Sequence, residues 1–217
     1  MQGNNLGNGG IPVTVGAKSA SVINAFNGST LQGQLPVDAP LGATTLKVGA
    51  AAPFNITLVQ YCPALAADGQ PDNLAAAVHY PSGTPVSPSF PASPNEQIGL
   101  VATGLGPTNP VFPTGTSPND NSAVPTTLPT VSVAGKPATV VASFLQPGGP
   151  GFYIVVFTMT AGVTNGNQSV AVSTSGLTSN AANVPVATGP VIASVTNAAS
   201  YNDPARPNGP IAQGSIL

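Results

Sequence analysis

Short apolar segments that alternate with polar residues and end at Gly, Pro or Asn dominate this chain and limit what it can fold into. They are rich in β-branched residues and include IPVTVGA (11–17), ASVINAF (20–26), TTLKVGA (44–50), FNITLVQ (54–60), PTVSVAG (129–135), ATVVASF (138–144), FYIVVFTM (152–159) and QSVAVSTSG (168–176). Many short strands separated by turn residues are typical of a β-sandwich or barrel. The best helical candidate, DNLAAAV (72–78), predicts one short turn of helix that cannot be stable alone. We therefore predict an all-β protein.

The chain contains an internal repeat. VTVGAKSASVINAF (13–26) aligns without a gap with VSVAGKPATVVASF (131–144), and the apolar residues at every second position are retained. Turn residues around Gly16 and around Gly135 interrupt each run, so both copies predict a β-hairpin. Two shorter matches follow the same order, namely GATTLKV (42–48) with GNQSVAV (166–172), and NLG (5–7) with GLG (104–106). We interpret the chain as two copies of one module.

The two copies are unequal, and this sets the expected domain boundaries. Residues 1–60 hold the first module, and residues 61–187 hold the second module with a long Pro/Thr/Asn-rich loop at 107–128. Residues 188–217 form a connector and one further strand. Around Ser82-Gly83 we expect a strand pair inside the insert that separates the copies.

The opening strand of the module is found in an unexpected place. In the second copy EQIGLVATG (96–104) leads into the GLG turn, whereas the first copy has almost nothing before its NLG turn. IAQGSIL (211–217) has the pattern of the missing strand. We therefore expect the chain to be one period of a longer array, whose last strand completes the first module of a neighbour. The residues expected to enter the neighbour's core are Ile211, Ile216 and Leu217.

Five segments of the chain carry a family resemblance. They are NAASY (197–201) followed by IAQGSIL (211–217), LVATGLGPTNPVFPTG (100–115), VSVAGKPATVV (131–141) and GFYIVVFTMTAGVTNG (151–166). Together they resemble the two-module C-terminal region of a family of secreted proteins that is abundant in Acidobacteria (Solibacter-type). In that family the order runs from NAAS through both modules, whereas NAAS comes last in this chain.

The resemblance implies modules of the immunoglobulin-like IPT/TIG type and a location outside the cell or on its surface. It implies no activity, because the family has none established. The expected fold is therefore a pair of tandem immunoglobulin-like β-sandwiches, with strand exchange between neighbours as the way to complete the first.

The charge of the chain argues against several classes of partner. Charged residues are 5% of the sequence and the net charge is −2. The four basic residues, Lys18, Lys47, Lys136 and Arg206, are dispersed, so the sequence predicts no nucleic-acid partner. No apolar run reaches the ~18 residues of a membrane span. A surface of Ser, Thr, Asn and Gln suits extracellular proteins and proteins that pack against copies of themselves.

The residues that carry chemistry are few. His79 is the only histidine and Cys62 the only cysteine, and no set of metal ligands or catalytic triad can be assembled around them;. We expect Cys62 to be a small buried side chain, with a bridge between chains as the alternative. Asp68 and Asp72 in DGQPDN are expected to form a turn. We therefore predict a protein that is not an enzyme and binds no metal or cofactor.

Two kinds of function remain open. The first is a structural subunit of an extracellular filament or surface array, whose partners are copies of itself. The second is an adhesion or carbohydrate-binding module, or an accessory domain of a larger secreted protein. Loop 107–128 would then bind a polysaccharide or protein partner, and its candidate ligand residues are Phe112, Asn119 and Asp120.

Overall fold

The computed structural model describes residues 1–2, 6, 10–26 and 28–190. Within these residues every regular element is a β-strand, so the predicted all-β fold is confirmed. We call the first six strands the first strand set: β1 (Val13–Val15), β2 (Lys18–Ser19), β3 (Ser21–Phe26), β4 (Thr30–Gln34), β5 (Gly42–Val48) and β6 (Phe54–Leu58).

The remaining strands form the second strand set. They are β7 (Ala64–Leu65), β8 (Ala77–His79), β9 (Thr84–Pro85), β10 (Gln97–Thr103), β11 (Thr108–Asn109), β12 (Val124–Pro125), β13 (Thr130–Val133), β14 (Lys136–Leu145), β15 (Tyr153–Thr158), β16 (Gly166–Thr174), β17 (Leu177–Thr178) and β18 (Ala182–Val186). In the order of pairing they run β17-β16-β13-β14-β15-β10-β8-β9, with β18 on β16 and β7 on β10.

The long strand β14 belongs to two layers of the second set. Its first residues, from Lys136 to Ala138, pair with β13, and its later residues pair with β15. The register shifts between Val140 and Ala142. A bulge bends a strand, and sandwiches use such bends to pass a strand from one sheet to the other. The buried side chains from both layers form one core, which includes Ile98, Leu100, Val131, Val133, Val155, Phe157, Val170, Val172 and Val184.

The first strand set has the same two layers in a smaller form. One sheet has the order β2-β1-β5-β6, and β3 and β4 form a separate hairpin. Val13 and Val15 of β1 are buried while Thr14 between them is half-buried, as the alternation of the sequence predicts;. The predicted hairpins at 13–26 and 131–144 are confirmed by the ladders β1–β2 and β13–β14.

Equivalent ladders of the two sets have the same register. Val13 faces Val48 between β1 and β5, and Val131 faces Val172 between β13 and β16. These are the residues that the internal repeat aligns with one another. The match extends to the neighbouring ladders, since Gly42 faces Leu58 between β5 and β6 as Gly166 faces Val186 between β16 and β18.

The β3–β4 hairpin likewise matches β14–β15. Val22 faces Gly33 in the first ladder and Val140 faces Phe157 in the second. In both ladders the register shifts directly after these valines. The bulge is therefore repeated at the aligned residue, although the sequences of β4 and β15 have little in common.

The predicted helical turn at 72–78 is wrong. Leu74 and Ala75 form isolated bridges to neighbouring segments, and β8 begins at Ala77. Ala75 and Ala77 are buried whereas Ala76 is exposed, so the alanines pack with the period of a strand rather than a helix;. The strand pair expected around Ser82-Gly83 is present as β8 and β9.

Candidate assembly site beside strand β4

An apolar hollow of about 660 Å³ lies between the two layers of the first strand set. Its walls come from both the β2-β1-β5-β6 sheet and the β3–β4 hairpin. The apolar side chains that line it are Met1, Val13, Ala20, Val22, Phe26, Leu31, Leu35, Leu46 and Ile56. Phe26 and Leu35 are substantially exposed, so the hollow is open to solvent.

Met1 and Gln2 pair with the outer edge of β4. The amino group of Met1 donates to the Leu31 carbonyl oxygen at 2.7 Å, and the Leu31 N–H donates to the Met1 carbonyl oxygen at 2.9 Å. Gln2 forms a bridge with Thr30. Within the described residues, β4 has no strand partner on this edge opposite Gln32–Gln34.

In the second strand set the corresponding place is occupied by β10. Leu100 faces Val155 and Ile98 faces Phe157 in the β10–β15 ladder. Val155 corresponds to Leu31, so Met1 holds the position of Leu100. Ile98 and Leu100 are both 0% exposed. The side chains of β10 thus fill the space that corresponds to the hollow of the first set.

Gly33 lines the hollow and contributes no side chain to it. It stands at the position of Phe157, whose ring is fully buried in the second core. A Cβ atom on Gly33 would lie 2.6 Å from the Ser21 carbonyl oxygen, which is closer than carbon and oxygen approach in proteins. The backbone of β3 therefore excludes any side chain from this position of β4.

A second cavity, of about 800 Å³, lies at the junction of the two strand sets, and we call it the trough. It is lined by apolar side chains from both sets. The most exposed of them are Leu35 (45%), Val37 (51%), Leu41 (61%), Val59 (58%) and Val111 (69%). The trough and the hollow share Gln32, Gly33 and Leu35 in their walls.

Loop 107–128 bridges the two sets. The Gly115 N–H donates to Gln34 Oε1 at 2.6 Å, and the Val37 N–H donates to Thr114 Oγ1 at 3.1 Å. The ends of the loop pair with each other as β11 and β12. Much of this loop is therefore bound to the chain itself.

The candidate ligand residues of the loop lie in different surroundings. Phe112 is half-buried, packs against the second core and lines the trough. Asn119 and Asp120 are exposed and do not line it. The Ser122 N–H donates to Asp120 Oδ1 at 3.0 Å, and bonding to Ser122 lowers the pKa of the Asp120 carboxyl. Ile211, Ile216 and Leu217, like the rest of 191–217, lie outside the described residues.

His79 is buried between strand β8 and the segment before β10. Its Nδ1 lies 2.6 Å from Glu96 Oε1, its Nε2 lies 3.2 Å from the Phe90 carbonyl oxygen, and its ring packs on the Phe90 ring at 4.4 Å. Ser82 Oγ donates to the His79 carbonyl oxygen and not to the imidazole. Both ring nitrogens thus have partners that join β8 to the following segment.

The expectation that Cys62 is buried is wrong, because its side chain is exposed. Its backbone is in close contact with the turn after β10, where the Cys62 N–H donates to the Gly104 carbonyl oxygen at 2.9 Å. This contact holds the backbone and leaves the thiol in solvent. Among the described residues, no three His, Cys, Asp or Glu side chains are grouped so that they could bind a metal ion.

No helix in the described part of the chain is long and apolar enough to cross a membrane. Comparison with known protein families, with curated proteins and with solved structures finds no match to this chain.

Proposed function

We propose that this protein is a structural subunit of an extracellular filament or surface array, and that its copies join head to tail by β-strand complementation. In this proposal residues 211–217 of one copy add to the outer edge of β4 in the next copy. The observation that carries it is the apolar hollow beside β4, at the place where β10 completes the second strand set.

The ladder register specifies how the incoming strand would lie. Met1 and Gln2 hold the positions of Leu100 and Val101, so a strand that ends at Met1 continues the β10 pattern. If residue 217 of one copy lies directly before Met1 of the next along this edge, Ile216 takes the position of Ile98, opposite Gly33. An isoleucine side chain there would enter the space that Gly33 leaves open.

Strand geometry changes the role expected of the three apolar residues. Successive side chains of a strand point to opposite faces. Ile216 therefore enters the hollow, while Ile211 and Leu217 have the opposite parity and face away from it. The three residues cannot all enter one core, so the hydrophobic contribution to this site comes from Ile216. Full burial of such a side chain stabilises by about 1.5–3 kcal/mol.

Main-chain pairing adds to this contribution. Leu31 exchanges two hydrogen bonds with Met1, and in an antiparallel ladder the next residue to do so is Gly33;. An added strand would supply partners to the N–H and C=O of Gly33. The contact joins two different surfaces of the subunit, so it is heterologous, and such a contact propagates as a filament when the rotation between neighbours does not close a ring.

The other parts of the proposal have separate support. The matching registers of the two strand sets support tandem modules, and the resemblance noted above favours the immunoglobulin-like IPT/TIG type. The low content of charged residues suits a subunit that packs against its own copies outside the cell. A polysaccharide-binding or adhesive role for loop 107–128 has less support, because Thr114 and Gly115 of the loop already bind the first strand set.

The proposal is tested with the full-length chain and the variant Ile216→Asp. Negative-stain microscopy and light scattering should show filaments for the unmodified chain and monomers for the variant, because a buried carboxylate in the hollow is strongly unfavourable. Leu217→Asp is the matched control, since its side chain faces away from the hollow, and it should still assemble. Circular dichroism checks that both variants are folded. Filaments of normal length from folded Ile216→Asp would refute the proposal.

A further inference from the structure

The trough at the junction of the strand sets presents large exposed side chains that nothing in the described residues covers. Five of them, from Leu35 to Val111, are about half exposed or more. Grouped apolar exposure of this kind marks surfaces that bind another segment or molecule.

The walls of the trough are continuous with the edge of β4. Gln32, Gly33 and Leu35 line both the trough and the hollow. Strand β4 ends at Gln34, and the chain then passes into the trough wall through Leu35 and Val37. A segment that adds to the outer edge of β4 and extends beyond Gln34 must therefore enter the trough.

The direction of the incoming strand determines which residues extend beyond Gln34. An antiparallel partner of β4 runs from Gln34 toward Thr30, so its earlier residues lie on the trough side. The register that places Ile216 opposite Gly33 places Ser215 opposite Gln34. Ile211 is four residues earlier, about 13 Å further along at ~3.3 Å per residue.

We propose that Pro210 and Ile211 of the incoming copy bind in the trough and form a second anchor of the interface. This inference rests on the strand complementation proposed above and names the partner of a second surface. Ile211 has the wrong parity for the hollow, and the trough is the apolar surface on its path. Pro210 has no N–H to donate, so it suits the place where the ladder ends and the segment leaves the sheet.

The inference is tested by peptide binding to the full-length chain that carries Ile216→Asp, whose own segment cannot fill the hollow. The ligand is a synthetic peptide of residues 207–217, and the readout is the dissociation constant from titration calorimetry. Binding of the unmodified peptide is expected. The peptide with Ile211→Ser should bind at least about tenfold more weakly, because it loses the burial of one aliphatic side chain.

The acceptor offers a matched pair of variants. Leu41 lines the trough and is 61% exposed, whereas Leu128 is 64% exposed and lines neither cavity. Leu41→Ser should weaken binding of the unmodified peptide several-fold, and Leu128→Ser should leave it unchanged. Leu41→Ser should weaken binding of the Ile211→Ser peptide less than it weakens binding of the unmodified peptide. The reason is that the Leu41 and Ile211 side chains contact each other only when both are present.

The outcomes separate the two proposals. If the Ile211→Ser peptide binds as tightly as the unmodified one, while a peptide with Ile216→Asp does not bind, then the trough is not the second anchor and strand complementation stands. If Leu41→Ser and Leu128→Ser weaken peptide binding equally, the proposed binding of Ile211 in the trough is also refuted. If the unmodified peptide fails to bind the folded acceptor, both proposals are refuted.

Discussion

Gly33 of β4 and Phe157 of β15 occupy the same position in two ladders of matching register. Gly33 faces Val22 and Phe157 faces Val140, each directly before the bulge. Phe157 fills the second core, whereas Gly33 lines an open hollow in the first. The backbone of β3 excludes a side chain at Gly33, so in the proposed assembly a residue from another strand completes this core.

The close approach at Gly33 predicts a cost for even the smallest side chain. Gly33→Ala places a Cβ atom 2.6 Å from a backbone oxygen, so β3 and β4 must move apart. Overpacking of this kind typically destabilises by about 1–3 kcal/mol. Gly10→Ala is the control, since no atom of the described residues lies within 4 Å of a Cβ at that position. Calorimetric unfolding should show a lower melting temperature for Gly33→Ala alone, and equal melting of both variants would contradict the steric argument.

The second strand set contains β10 in the position beside β15, so it shows how much such a strand adds to the free energy of unfolding. Ile98 of β10 is fully buried opposite Phe157, so Ile98→Ala should lower the free energy of unfolding by about 2–5 kcal/mol;. Val141→Ala, on an exposed position of β14, should change it by less than about 0.5 kcal/mol;. Urea unfolding followed by circular dichroism measures both. A loss below about 1 kcal/mol for Ile98→Ala would mean that β10 adds little to the core.

The hydrogen bond from Gly115 to Gln34 predicts a local effect on loop 107–128. Gln34→Ala removes the acceptor, so the amide hydrogen of Gly115 should exchange with solvent faster while the amides of β15 keep their protection;. Gln32→Ala is the control on the same strand, because the Gln32 side chain accepts from Asn24 instead. Hydrogen exchange followed by NMR tests this. Unchanged exchange at Gly115 would show that other contacts hold the loop.

Tyr153 makes stability depend on pH in the alkaline range. Burial raises the pKa of its phenol to about 12 from an ordinary value of 10.0, and its hydroxyl donates to the Gly106 carbonyl oxygen. A raised pKa in the folded state means that the contribution of this group is complete below about pH 10 and is lost as the pH rises toward 12. Phenolate absorbance should show a group that titrates near pH 12 and is missing from Tyr153→Phe. A Tyr153 titration near pH 10 in the folded protein would contradict this.

Some of this organisation is visible in the sequence. The alternating valines of 13–26 and 131–144 predict both hairpins, because side chains of period two bury one face of a strand. DNLAAAV was predicted wrongly, since its alanines favour a helix locally while burial of Ala75 and Ala77 selects an extended strand;.

The candidate site could be predicted only in part. The sequence of 211–217 indicates a strand. The hollow can be recognised as the place of a missing strand only when Gly33 is seen to be equivalent to Phe157. TLQGQ and YIVVFT share too little for alignment to show this equivalence, and only the ladder registers reveal it. The trough and the docked loop depend on contacts such as that of Gln34 with Gly115, which lie far apart in the sequence.

Disulfide trapping between copies can detect whether the last strand of one copy lies beside β4 of another. The register places Leu217 opposite Gln32, and this pair does not share hydrogen bonds, so its side chains are close enough for a disulfide. Two variants in a Cys62→Ser background are mixed, one with Leu217→Cys and one with Gln32→Cys. We expect a disulfide-linked dimer that contains one copy of each variant, and a much lower yield when Ser215→Cys replaces Leu217→Cys. Folded variants that form no mixed dimer would contradict it.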